Sequence, residues 1–102
     1  MPNQHTDLQL NRVALTALLD TLLPGDKHWP GASEVGLADT VAERAGMAAG
    51  HNEAITRLLE RLGPRFVNAE PEKRERQLRA QENTDDFATT LLVAYDAYYV
   101  SA

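Results

Sequence analysis

Apolar residues recur along this chain at helical spacing, three and four positions apart. The first such stripe predicts a helix over residues 7–23, with Thr6 or Asp7 as its N-cap. Pro24 ends this helix, because proline disfavours helical geometry at the residue before it. The residues of the stripe are Leu8, Leu15, Leu18, Leu19 and Leu22.

Two more helices are predicted in the middle of the chain. One covers residues 33–45, with Ser33 as its N-cap, and ends before Gly46, which suits the left-handed position after a helix. The next covers residues 52–62, with Asn52 as its N-cap. Both carry an apolar stripe, which is rich in alanine in the first and in leucine and isoleucine in the second.

The last third of the chain predicts two further helices, after a short buried anchor at Phe66 and Val67. The first, over residues 71–82, has proline at its first position and opposite charges three or four residues apart, which is typical of a solvated helix face. A charged interface is the alternative interpretation of that surface. The second runs over about 85–99, with Thr84 or Asp85 at its start, and is rich in leucine, alanine and tyrosine.

Helical spacing without sustained alternation predicts an all-α fold. We expect a single domain over residues 1–102, with four to five short helices around one core and with residues 1–6 flexible. A chain of 102 residues has no room for a second hydrophobic core. A domain of this size is marginally stable alone, so burial against a partner would help it.

Charge and residue usage exclude several classes of function. The chain has 15 acidic and 10 basic residues, a net charge of −5, which argues against nucleic-acid binding and against charge-driven docking to an anionic membrane. It has no cysteine, so disulfides and thiolate chemistry are excluded. No apolar run is long enough to insert in a bilayer, and residues 1–7 do not resemble a secretory signal.

Catalytic and cofactor-binding patterns are weak. Asp26 and His28 share a loop and could bind a metal or move protons, but a working site needs further ligands or an orienting partner. Asp85 and Asp86 lie where a helix begins, and the helix dipole explains them. Ser33 is better explained as a cap than as a nucleophile. No glycine-rich phosphate loop occurs, so we expect no catalytic residue, metal or cofactor in this chain.

Two features favour contact with a partner. The loop 24–32 combines prolines, glycines and the single tryptophan, a composition that predicts a shaped loop. Three tyrosines follow the spacing i, i+3, i+4 in the last helix, where they form either its core face or part of an interface. The candidate partner-binding residues are Pro24, Trp29, Pro30, Gly31, Tyr95, Tyr98 and Tyr99.

Two stretches of the sequence resemble a known family. Residues 18–26 read Leu-Leu-Asp-Thr-Leu-Leu-Pro-Gly-Asp, and residues 29–37 read Trp-Pro-Gly-Ala-Ser-Glu-Val-Gly-Leu. They resemble the helix end and the turn of the gluconate 2-dehydrogenase subunit 3 family. Phe66 and the closing pattern are similar to the family's aromatic last helix, and the resemblance spans about residues 10–99. The closing pattern is Phe87, Leu91, Leu92, Ala94, Tyr95, Tyr98 and Tyr99.

The resemblance implies a role in an oxidoreductase complex. Members of the family are non-catalytic small subunits bound to a large flavoprotein of the glucose–methanol–choline type, which carries FAD and oxidises sugars or alcohols. A cytochrome subunit often accepts the electrons. Several members carry a twin-arginine signal; this sequence shows none, so the expected location is cytoplasmic, or periplasmic if a signal was removed or the partner carries one.

Two alternatives stay open at this stage. The chain could be a free-standing helical adaptor or a self-associating domain without a redox partner. It could also be a small enzyme that uses Asp26 and His28, which predicts activity in the isolated chain.

Overall fold

The computed structural model describes residues 12–101, and all regular structure in this range is helical. The all-α fold around one core is therefore confirmed. The predicted helix start at residue 7, its cap at Thr6 or Asp7, and the flexibility of residues 1–6 lie outside the described residues. The elements are α1 (Arg12–Leu22), a 3-10 turn (Ser33–Val35), α2 (Leu37–Ala45), α3 (His51–Leu62), α4 (Arg65–Asn68), α5 (Pro71–Arg79) and α6 (Asp85–Ser101).

The long helix α6 organises the domain, because it packs along both α3 and α2. Helix α1 lies against α2 and the short α4, and α4 in turn contacts α5. Leucine and isoleucine side chains fill the centre, together with the ring of Phe66 from α4. The largest side chains that are fully buried are Phe66, Leu15, Leu18, Leu19, Leu37, Ile55 and Leu58.

The start of the second predicted helix differs from the expectation. Ser33 opens a 3-10 turn, and α2 begins only at Leu37, after Gly36 in the left-handed conformation (φ 64°). The Ser33 hydroxyl donates to Asp20 Oδ1 at 2.6 Å and caps no helix. The predicted capping role of Ser33 is therefore wrong. An N-cap hydroxyl accepts from backbone amides, whereas the Ser33 hydroxyl donates to a carboxylate on α1 in a charge-assisted hydrogen bond.

Two predictions at the ends of the middle helices are also wrong. Helix α3 begins at His51 after Gly50 (φ 84°), so Asn52 lies inside its first turn and is not the N-cap. The Asn52 side chain is buried, at 3% exposure. Gly46 has a right-handed φ of −73°, because the chain continues into a further tight turn that is closed by Met47.

The helix starts in the last third follow the sequence more closely. Pro71 is the first residue of α5, as predicted, although α5 ends at Arg79 and not near residue 82. Thr84 caps α6, since the Phe87 amide donates to its Oγ1 at 3.1 Å. Helix α6 ends at Ser101, two residues beyond the predicted end.

Candidate functional site

The loop between α1 and the 3-10 turn is closed at its neck by the backbone. The Ala32 amide donates to the Leu23 carbonyl at 2.9 Å. Gly25 (φ 83°) and Gly31 lie against each other: a Cβ on Gly25 would be 2.4 Å from the Gly31 nitrogen. A Cβ on Gly31 would be 2.6 Å from the Pro24 oxygen. Only residues without a side chain fit at this crossing.

The tip of the same loop is held by Asp26. Its Oδ1 accepts the backbone amides of His28 at 2.8 Å and Trp29 at 3.0 Å. The Asp26 amide in turn donates to the Trp29 carbonyl at 2.9 Å. The carboxylate that the sequence pairs with His28 for proton transfer is thus engaged in shaping the loop, through the His28 backbone and not its ring. Among residues 12–101, no group of three or more His, Asp or Glu side chains is placed to hold a metal ion.

This ordered loop presents its tryptophan to solvent. The Trp29 side chain is 64% exposed, although both its backbone amide and its carbonyl are hydrogen-bonded within the loop. Of the other candidate residues in the loop, Pro24 is exposed, Pro30 is half-buried and Gly31 is buried. Trp29 is therefore the large apolar side chain that this loop offers to a partner, while Gly31 supports the loop from within.

Tyr98 connects the loop to the last helix. Its ring is buried, at 8% exposure, and its hydroxyl donates to the Pro30 carbonyl oxygen at 2.7 Å. The two residues are 68 positions apart in the chain. The Tyr98 ring also contacts the Tyr99 ring edge-on, with 6.5 Å between centroids. Tyr98 is buried, so it cannot contact a partner through an exposed ring. Its hydrogen bond instead holds the loop that carries Pro30 and Trp29.

The remaining two tyrosines point outward with a leucine. Tyr95 is 41% exposed, Tyr99 is 81% exposed, and Leu92 is 64% exposed. Their spacing of i, i+3 and i+7 puts the three on one face of α6, which we call the α6 stripe. Val93, Ala94 and Ala97 lie on the opposite face, in the core. Helix α6 is therefore apolar on both sides, a pattern typical of a helix with neighbours on both sides.

A shallow groove adjoins the stripe at Leu92. It has a volume of about 350 Å³ and is mostly apolar, with Met47 and Val93 in its walls. Arg44 and Asp96, which form an ion pair, also line it. The groove extends the apolar surface of α6 toward the turn that follows α2.

The structure buries the carboxylate of Asp86 at the start of α6. From the sequence, Asp86 is explained by the helix dipole alone, and this burial is not predicted. Arg57 donates to Asp86 from Nη2 at 2.9 Å and from Nε at 3.1 Å, and Arg61 donates at 2.6 Å. The Arg57 hydrogen bond is the main cause that lowers the pKa of Asp86, while burial opposes it. The same contact raises the pKa of Arg57. The available signal was the i, i+4 spacing of the two arginines on α3.

The charged helix α5 is more than a solvated face. Arg74 Nε donates to the Phe66 carbonyl at 3.0 Å, and its Nη2 donates to the Val67 carbonyl. The same guanidinium lies 5.8 Å from the centre of the Phe66 ring. Arg79 and Glu75, four residues apart and 2.8 Å from each other, form the kind of surface pair that the sequence predicts.

Comparisons with known proteins give no relative for this chain. No protein-family model, no curated protein and no solved structure matches it. The resemblance to the gluconate 2-dehydrogenase subunit 3 family therefore rests on the sequence motifs quoted above. Within residues 12–101, no helix combines the length and the apolar character that crossing a bilayer requires.

Proposed function

We propose that this chain is a non-catalytic small subunit that binds and stabilises a larger FAD-dependent dehydrogenase of the glucose–methanol–choline type. In this proposal the flavoprotein carries the cofactor and the substrate site, for a sugar or an alcohol, and a cytochrome subunit can accept its electrons. The small subunit contributes an interface and no reacting group.

One observation carries the proposal: a 64% exposed tryptophan stands on a loop that is hydrogen-bonded at its neck and at its tip. Tryptophan in such a position is the residue type that most often dominates the binding energy of protein interfaces. An ordered loop loses little further conformational entropy when it is covered.

Two further observations support it. The α6 stripe lies on the helix that Tyr98 joins to the loop. The residues of the family resemblance that fall in residues 18–37 also form the neck and tip of the Trp29 loop.

Co-expression with an FAD-dependent dehydrogenase of the glucose–methanol–choline type from the same genome tests the proposal. We expect the two chains to co-purify in a fixed ratio, and we expect Trp29→Ala to weaken the complex by roughly 30-fold or more, since a central interface tryptophan contributes about 2 kcal/mol or more. Val13→Ala is the matched control, because Val13 is an exposed apolar residue on α1, outside both the loop and the stripe.

Two results would reject the proposal. One is that the flavoprotein does not bind this chain. The other is that the isolated chain shows dehydrogenase activity. A homodimer that persists in the presence of the flavoprotein would favour the self-associating adaptor instead. Light scattering after size-exclusion chromatography distinguishes the homodimer from the complex.

A further inference from the structure

From the Tyr98–Pro30 contact we infer that Tyr98 is a positioning residue, which fixes the Trp29 loop against α6 and so holds the exposed indole in place for a protein partner. The inference rests on the proposed function for the identity of the partner. Its structural part, the control of Trp29 by Tyr98, can be tested without any partner.

Within residues 12–101, the hydrogen bonds of the Trp29 loop fall into two groups, those that shape the loop and the one that joins it to α6. Its internal hydrogen bonds, made by Asp26 and by the backbone at the neck, fix its shape. They join the loop to the end of α1 and make no bond to α6. In the part of the chain that the structure describes, the Tyr98 hydroxyl provides the hydrogen bond between this loop and α6.

The Tyr98 side chain is itself held in place by burial. A phenol ring at 8% exposure has few alternative rotamers, because neighbouring side chains occupy the space around it. Packing around the ring therefore holds the hydroxyl at the position from which it donates to the Pro30 carbonyl. Pro30 follows Trp29 directly, so the bond acts one residue away from the exposed indole.

Charge narrows the class of partner. The chain carries a net charge of −5, which disfavours an anionic bilayer and a second copy of this chain as partners. A partner protein with an apolar pocket for the indole fits both this charge and the exposure of Trp29.

Tyr98→Phe is the decisive variant, and Tyr95→Phe is its matched control. Each removes one hydroxyl from a tyrosine of α6, but only the Tyr98 hydroxyl binds the loop. Trp29 is the only tryptophan, so its intrinsic fluorescence reports on the loop alone. We expect Tyr98→Phe to at least double the amplitude of the fast component of the Trp29 anisotropy decay, and Tyr95→Phe to leave it unchanged. Circular dichroism at the same temperature verifies that both variants are folded.

The second readout is affinity for the co-expressed flavoprotein, measured by biolayer interferometry. We expect Tyr98→Phe to weaken binding five- to ten-fold, with Ser101→Ala within two-fold of the parent chain, since it removes an α6 hydroxyl that donates to Thr40, outside the loop and the stripe. Because the Tyr98 hydroxyl lies under the loop, a loss of affinity together with a freer Trp29 identifies positioning. An unchanged anisotropy decay in Tyr98→Phe, or equal effects of Tyr98→Phe and Tyr95→Phe on that decay, overturns the inference.

The remaining outcomes separate the two proposals. If the parent chain does not bind the flavoprotein but Tyr98→Phe still frees Trp29, the proposed function fails and the positioning role stands. A homodimer that Trp29→Ser dissociates makes a second copy the occupant and overturns the inference of a different protein. A blue shift of Trp29 emission with vesicles of phosphatidylcholine and phosphatidylglycerol overturns it in favour of a membrane.

Discussion

Gly25 and Gly31 lie backbone against backbone at the neck of the Trp29 loop, closer than any side chain allows. A Cβ on Gly31 would be 2.6 Å from the Pro24 carbonyl oxygen, a backbone atom that cannot turn away as a side chain can. The shape of the loop therefore depends on two residues that contribute no side-chain contact of their own.

Gly31→Ala is expected to destabilise the chain by about 1–3 kcal/mol, because the neck must open to admit the methyl group. Trp29 emission should shift at the same time, since Trp29 lies two residues away. Gly50→Ala is the control: it strains a left-handed residue (φ 84°) with open space around it. A Gly50→Ala chain should lose about 1 kcal/mol with unchanged Trp29 emission. Urea unfolding, followed by circular dichroism, measures both, and an unaltered Gly31→Ala chain would contradict the crossing.

Asp86→Asn should cost about 1 kcal/mol at pH 7, because two guanidinium groups lose a charged acceptor while both stay partly hydrated. Glu75→Gln, which breaks the exposed pair with Arg79, should cost less than about 0.5 kcal/mol. Thermal unfolding of the three chains in parallel gives the comparison. An equal loss of stability in the two variants would show that the buried Asp86 pair stabilises the fold no more than the exposed Glu75 pair does.

The contribution of Asp86 should depend on pH in a defined direction. Its pKa is lowered in the folded chain, so its stabilisation is complete above the unfolded pKa of about 4 and is lost as the pH falls through the lower folded value. The stability difference between the parent chain and Asp86→Asn should therefore be constant from pH 7 to about 5 and shrink in more acidic buffer. A difference that grows toward acid would have the wrong sign.

Arg74→Met is expected to destabilise the chain by about 1–2 kcal/mol, since it removes the donors that satisfy the Phe66 and Val67 carbonyls. Arg74→Lys should restore only part of this loss, because an ammonium group lacks the planar fork that spans two carbonyls. Arg79→Met makes the same substitution at an arginine whose ion pair is exposed, and it should have little effect on stability. Chemical denaturation of the three variants ranks them, and equal losses at positions 74 and 79 would contradict this role of Arg74.

Asn52→Leu should leave stability unchanged or raise it by up to about 1 kcal/mol. Both polar atoms of the Asn52 amide are buried without a hydrogen-bond partner in the described part of the chain, and leucine has a similar volume. Asn52→Asp should destabilise by more than about 2 kcal/mol, because it places a charge at the same buried position. If Asn52→Leu lost more than about 1 kcal/mol in urea unfolding, the amide would have to be hydrogen-bonded to a buried water.

The sequence by itself determined the helical class and most helix bodies, because apolar spacing follows from which side of a helix must be buried. Local chemistry was also sufficient at Pro71 and Thr84, where a fixed φ and a capping hydroxyl act on their own neighbours. The prediction of a shaped loop around Trp29 succeeded for the same reason, as glycine and proline limit the backbone locally.

Only the tertiary structure decided which groups meet across the chain. Ser33 donates to the carboxylate of Asp20, 13 residues away, instead of capping a helix. Asp86 binds two arginines from another helix. It also separated the tyrosines, placing Tyr98 in the core under Pro30 and Tyr99 in solvent. Spacing puts all three tyrosines on neighbouring parts of α6, but burial depends on where the other elements pack, and hydrogen bonds over 68 residues leave no local pattern in a sequence.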